Sequence, residues 1–95
     1  MAQNNNISCT AQTWTLLTNS DVTALRAQNR GTLPCYLQGT VGANAPSNSD
    51  GAISLAPGDV LAADLTLAQL FPGVSGANRV YALCATTSVI SVSHA

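Results

Sequence analysis

The chain has 95 residues, of which 7% are charged, and its formal net charge at pH 7 is −1. This charge balance argues against a nucleic-acid partner, because phosphate binding needs clustered lysine or arginine, and the sequence contains no lysine. It also argues against an enzyme, since there is no glutamate and the single histidine, His94, is expected at the surface of a strand end.

No apolar run approaches the roughly 18 residues that a membrane helix needs, so no membrane partner is expected. The first residues lack the basic and apolar regions of a secretory signal, which predicts synthesis in the cytoplasm. Residues 1–12 are polar, uncharged and without a periodic apolar pattern. They predict a flexible, extended N-terminal arm, followed by one domain over residues 13–95.

The first half of that domain consists of short segments with strand character. Residues 14–18 predict a strand, with Trp14 as a core anchor, and residues 22–29 predict a second. Residues 33–41 alternate apolar and polar side chains, so Leu33, Cys35, Leu37 and Val41 are expected on one face. Residues 42–51 are rich in Gly, Asn and Ser and predict a loop.

The second half adds three strands and one helix. A short strand is predicted over 52–55, and a helix over 64–71 with Asp64 as its N-cap. Residues 79–85 predict a strand buried on both faces, and residues 88–94 a strand with one wet face, because Ile90 and Val92 alternate with serines. The fold class is therefore all-β, an antiparallel β-sandwich of jelly-roll or immunoglobulin-like type with one short helix.

The cysteines and acidic residues do not form a recognisable site. Cys9, Cys35 and Cys84 lack zinc-site spacing. Cys35 and Cys84 lie in apolar runs and are expected to be buried thiols, with a disulfide between them as the alternative, while Cys9 is expected to be exposed. The segment around Asp50 resembles half a calcium loop without its glutamate. No catalytic, metal or cofactor site is predicted.

Aromatic and arginine side chains are the usual anchors of protein interfaces. Tyr36, on the polar face of its strand, is predicted to form an interface together with Arg26 and Arg30. Phe71 and the residues that follow it predict a second, apolar protrusion.

The order of short turn-and-strand motifs over about residues 14–95 resembles the small β-sandwich structural proteins of tailed bacteriophages. The motifs are turn and strand signatures rather than active-site signatures, so they bear on the fold more than on the function. They are Trp14, Leu17-Thr18, Asp21–Leu25, Gln28-Asn29, Tyr36, Thr40–Ala43, Asp50–Ile53, Pro57-Gly58, Leu70–Val74, Arg79–Ala82 and Val92–Ala95.

The resemblance implies a capsid decoration (cement) protein on the outer capsid surface of the virion, with the major capsid protein as its partner. It implies that the arm lies across capsid subunits and that the sandwich self-associates, with a trimer favoured. The arm residues expected in the interface are Gln3, Asn4, Asn5, Asn6 and Ile7. The alternative is a tail or head-fibre component for host attachment, which requires exposed aromatic side chains that converge on one surface.

Overall fold

The computed structural model describes residues 2–95. They form eight strands, arranged in two four-stranded antiparallel sheets, and one short helix. The first sheet has the order β1-β8-β3-β6 and the second the order β2-β7-β4-β5. The all-β sandwich is therefore confirmed, while its jelly-roll or immunoglobulin-like topology stays a prediction. In chain order the elements are β1 (Gln3–Cys9), β2 (Thr15–Leu16), β3 (Arg26–Asn29), β4 (Cys35–Thr40), β5 (Ile53–Leu55), β6 (Val60–Leu61), α1 (Leu67–Leu70), β7 (Arg79–Cys84) and β8 (Ser88–His94).

The core lies between the sheets and follows the alternation of the strands. Ile90 and Val92 of β8 are fully buried, while the serines that alternate with them, Ser91 and Ser93, are partly exposed. In the facing sheet, Leu37 of β4 is buried in the same way. β7 is central in its sheet and is buried on both faces, as its sequence predicts: Tyr81 and its neighbour Ala82 are both buried.

Nearly every connection carries the chain from one sheet to the other; only β4 and β5 are consecutive strands of the same sheet. The last residue of β3, Asn29, is fully buried and connects β3 to the segments that lead into β4 and out of β5. Its side-chain amide donates to the carbonyl oxygens of Leu33 at 2.8 Å and Leu55 at 2.9 Å, and its Oδ1 accepts from the N–H of Gly31 at 2.8 Å. A polar side chain thus fixes the ends of β3 and β5 in the interior.

The N-terminal segment belongs to the sandwich and does not stand apart as an arm. From Gln3 to Cys9 it pairs residue by residue with β8, and Gln3 also donates from its side-chain amide to the carbonyl of Leu17 at 2.7 Å. Ile7 packs against the core and Cys9 is fully buried, which corrects the expectation that Cys9 is exposed. Met1, the first residue of the predicted arm, lies outside the described residues.

The helix is shorter than predicted and begins later. A capping box formed by Thr66 and Gln69 starts it, so the prediction of Asp64 as N-cap is wrong. Phe71 follows the helix and is only 4% exposed, because its ring packs on the backbone of β4 at Gly39, where a side-chain Cβ would come within 2.6 Å of the ring. The predicted apolar protrusion at Phe71 is therefore part of the core.

Three further expectations on exposure are corrected. Leu33 and Val41 are exposed, because both lie outside β4, which begins at Cys35 and ends at Thr40. His94 is buried, because it continues the inward-facing alternation of Ile90 and Val92 on β8.

Candidate interaction surface

The first sheet ends at β1, which pairs with β8 and has no strand on its other side among residues 2–95. At seven residues β1 is longer than the other edge strands, β2, β5 and β6, which have two, three and two residues. Natural edge strands usually carry lysine, proline or a bulge that blocks further pairing. The sequence of β1, QNNNISC, contains none of the blocking residues, and its register with β8 is continuous. Among the described residues, β1 is therefore the long open edge, roughly 23 Å long at about 3.3 Å per residue.

The hydrogen bonds of β8 identify which backbone groups of β1 stay free. The carbonyl of Val89 accepts from the N–H of Arg30 at 3.0 Å, so odd-numbered residues of β8 bond toward β3. Even-numbered residues of β8 then bond toward β1, where their partners are odd-numbered residues such as Asn5. The even-numbered residues of β1 direct their N–H and C=O groups to the open edge; these are Asn4, Asn6 and Ser8.

The outer face of the first sheet is polar and continuous with this edge. Side chains line up in two rows across β1, β8 and β3, and we call these six residues the polar face: Asn4–Ser93–Arg26 and Asn6–Ser91–Gln28. The guanidinium of Arg26 donates to the hydroxyl of Ser91 at 3.2 Å. A shallow depression of about 430 Å³ lies at this point, lined by Asn4, Asn5, Asn6, Arg26 and Ser91.

Arg26 gives the polar face its charge. Within residues 2–95 the ion pair is Arg79 with Asp21, at 2.8 Å, and Arg26 has no carboxylate partner. A guanidinium presents several N–H donors in a fixed plane and binds carboxylate and carbonyl oxygens. The polar face therefore suits a partner that offers oxygen acceptors beside an extended strand.

The structure brings together four of the predicted interface residues and separates the others. Asn4, Asn5, Asn6 and Arg26 meet at the depression. Gln3 and Ile7 face inward and hold β1 to the sandwich. Arg30 is exposed at the end of β3, in a second depression with Gly31 and Gly58, and Phe71 is buried.

Tyr36 lies on the outer face of the second sheet, away from the polar face. It is 41% exposed and lies beside Leu83 of β7, at the edge of a depression of about 370 Å³. The other aromatic residues do not join it as exposed rings, since Trp14 is half-buried and Tyr81 is buried. The convergence of exposed aromatic side chains expected for a glycan-binding surface is not observed in the described residues.

Sequence reasoning missed the serines of β8 as members of the site, although their alternation with Ile90 and Val92 indicated a solvent-exposed face.

Sequence reasoning also missed that three thiols meet in the interior. Cys35 and Cys84 are direct partners across β4 and β7, and Cys9 reaches Cys84 from the first sheet. Burial raises the pKa of all three thiols, that of Cys35 to about 12, so each is held protonated at neutral pH.

Residues 2–95 contain no cluster of three or more His, Cys, Asp or Glu side chains arranged to hold a metal ion. In the same part of the chain, no helix has the length and apolar character needed to cross a membrane. No protein-family model matches the chain, and no curated protein or solved structure is significantly similar to it.

Proposed function

We propose that the chain is a non-enzymatic virion structural protein, a capsid decoration protein that docks on the lattice of the major capsid protein. The observation that supports docking is the continuity of the open β1 edge with the polar face. The choice of capsid protein as the partner rests on the resemblance of the sequence to phage β-sandwich proteins.

Docking uses strand addition, in which an extended segment of the partner pairs with an exposed sheet edge. The free N–H and C=O groups of Asn4, Asn6 and Ser8 supply the main-chain hydrogen bonds. Side chains of the polar face add hydrogen bonds beside the new strand, and Arg26 pairs with a carboxylate or carbonyl of the partner. Since Arg26 is the charged residue of this surface, we expect binding to depend only weakly on salt.

The size of the molecule limits what one contact can contribute. The structure measures 30 × 27 × 19 Å, and a standard protein interface buries about 800 Å² on each partner, which is comparable with one whole broad side. Docking through β1 and the neighbouring strands uses only part of that side. A trimer would present three such edges to a repeating lattice, and multivalent attachment would raise the occupancy.

The test compares two substitutions at one position of the open edge. Asn6→Pro removes an N–H that faces away from β8, so no bond of the sheet is lost and proline is tolerated there. Asn6→Ala removes the same side chain and keeps the N–H. We expect Asn6→Ala to lose only the contribution of one side chain of the polar face, and the occupancy of Asn6→Pro on capsids purified without the protein to fall at least 10-fold below that of Asn6→Ala.

The circular dichroism spectra and melting temperatures of both variants serve as controls for folding. Equal occupancy of a folded Asn6→Pro variant would contradict docking through the edge. Mass spectrometry of purified virions tests the location, and absence of the chain from the particles would contradict the capsid role. Localisation to the tail, with retention on a glycan array, would instead support host attachment.

A further inference from the structure

Cys35 and Cys84 face each other at a position of the sheet that suits a disulfide bond. They are register partners on the neighbouring strands β4 and β7. The carbonyl of Cys84 accepts from the N–H of Gln12 at 2.7 Å, and the carbonyl of Val80 on the same strand accepts from Leu17 at 2.9 Å. Both carbonyls point toward β2, so Cys84 makes no main-chain bond to β4 and its pair with Cys35 is a non-hydrogen-bonded pair.

The spacing of such a pair meets the requirement of a disulfide. Residues in non-hydrogen-bonded antiparallel pairs have Cα atoms about 4.5 Å apart with side chains on the same face. A disulfide needs Cα atoms about 4.4 to 6.8 Å apart. Both side chains are buried against each other in the core, so they meet without a change of register.

We propose that Cys35 and Cys84 are a disulfide-forming pair, oxidised by a low-molecular-weight disulfide such as oxidised glutathione, with Cys9 left as a free thiol. Cys9 also approaches Cys84, because the chain crosses between the sheets there and Ala11 forms a bridge with Cys84. Cys35 is the favoured partner because it lies directly opposite Cys84 on a paired strand, whereas Cys9 has no register pairing with Cys84. This inference depends on the register of β4 and β7 and is independent of the proposed function.

The reaction is thiol–disulfide exchange in two steps. The thiolate of one cysteine attacks a sulfur of oxidised glutathione, which forms a mixed disulfide and releases one glutathione thiolate. The second cysteine thiolate attacks the mixed disulfide at the protein sulfur and releases the second glutathione. The two protons of the protein thiols pass to the two glutathione molecules, and two electrons move from protein to oxidant.

The folded sheet controls when this exchange takes place. Both thiols are buried and held protonated by desolvation, so glutathione reaches neither of them in the native state. Exchange is therefore expected during folding, before the two thiols become buried. Once the sandwich closes, the same burial protects the disulfide from reduction.

The experiment refolds the full chain from denaturant in a glutathione redox buffer, alkylates the remaining thiols and digests with trypsin. The three arginines are the only tryptic sites, since the chain has no lysine, and they place each cysteine in its own peptide: 1–26, 31–79 and 80–95. We expect the peptides 31–79 and 80–95 to be linked, with Cys9 alkylated. Three alkylated cysteines, or a link that includes Cys9, would overturn the proposal.

Cysteine variants and stability measurements test the pairing independently of the peptide analysis. Cys9→Ala is expected to form the same link, whereas Cys84→Ala is expected to form none. In the unaltered chain, a bond across this loop is expected to lower the unfolding equilibrium constant by roughly 30-fold or more relative to the reduced protein. A link in Cys84→Ala, or identical urea midpoints for oxidised and reduced protein, would contradict the pairing.

Discussion

Replacement of Asn29 by alanine is expected to destabilise the protein strongly, although only a small side chain is removed. The side chain is fully buried and makes three hydrogen bonds, to Leu33, Leu55 and Gly31. The carbonyl of Leu55 would be left without a partner in the interior, which costs about 1–3 kcal/mol. The other two bonds are partly buried and contribute about 0.5–1.5 kcal/mol each, so the free energy of unfolding is expected to fall by about 2–6 kcal/mol.

Urea unfolding followed by the fluorescence of the single tryptophan, Trp14, measures this loss. With a slope of about 1–3 kcal/mol per molar urea, the midpoint is expected to fall by about 1 M or more. Asn29→Asp keeps the acceptor for Gly31 and turns a carboxylate toward two carbonyl oxygens. At neutral pH it is expected to be at least as harmful as alanine, with partial recovery at acidic pH, where a protonated carboxyl can donate one hydrogen bond.

The neighbouring Gln28 supplies the matched control, since its amide donates to the carbonyl of Gly58 at 3.2 Å in an exposed position. Gln28→Ala is expected to cost less than about 1 kcal/mol. If Asn29→Ala matched Gln28→Ala, the buried amide would not be the link between β3 and β5 that the contacts indicate. The reasoning would also fail if Asn29→Asp were as stable as the unaltered protein at pH 7.

Two further predictions concern the core. Gly39→Ala is expected to lower the free energy of unfolding by about 1–3 kcal/mol, because the added Cβ meets the ring of Phe71. Gly73→Ala is the control, because the space around Gly73 is open, and it is expected to change stability by less than about 1 kcal/mol. Equal melting temperatures of the two variants would refute this. Burial raises the pKa of Cys35 from 9.0 to about 12. Between these two pH values the thiol ionises in the unfolded chain but stays protonated in the folded chain. The free energy of unfolding of the reduced protein is therefore expected to fall between pH 9 and 12 by up to about 1.4 kcal/mol per pH unit. Urea titrations with a reductant test this against Cys35→Ala, which is expected to have the flatter profile; a flat profile for the unaltered protein would contradict it.

The strands with strong local patterns could be predicted from the sequence. The strand predicted over residues 88–94 agrees with β8, because alternating serines and aliphatic residues leave one choice of buried face. β7 was predicted with burial on both faces: Val80, Ala82 and Cys84 are buried in the core, and on the other face Tyr81 is buried while Arg79 and Leu83 are half-buried. Turns rich in glycine and proline gave the approximate ends of β4 and β5.

β1 could not be predicted, because its strand character comes from its partner. Three consecutive asparagines have low β-propensity and no apolar alternation. They form a strand because β8 supplies a continuous register and because Ile7 and Cys9 enter the core at one end. The burial of Cys9 could not be predicted for the same reason: its sequence neighbours are polar, whereas its neighbours in the structure are Cys35 and Cys84.

The candidate surface could be predicted only in part. Asn4, Asn5, Asn6 and Arg26 were proposed from the sequence for separate reasons, and the strand order β1-β8-β3 brings them to one depression. The contact between Arg26 and Ser91 joins residues 65 positions apart, a distance over which local pattern carries no signal. The burial of Phe71 was not predicted because its ring packs at Gly39 of β4, which is distant in sequence and lacks a side chain.

The distribution of edges determines what kind of assembly strand pairing can form. A protein with two long open edges can add copies at both and grow into a fibre. Here the opposite edge of the first sheet is the two-residue β6, and the second sheet ends in β2 and β5, which are also short. Among the described residues, β1 is therefore the edge that is long enough for extended strand pairing. The polar sequence of β1 is compatible with its exposure to water in the isolated molecule, and under the proposed docking the occupied β1 would leave only the short edges unpaired.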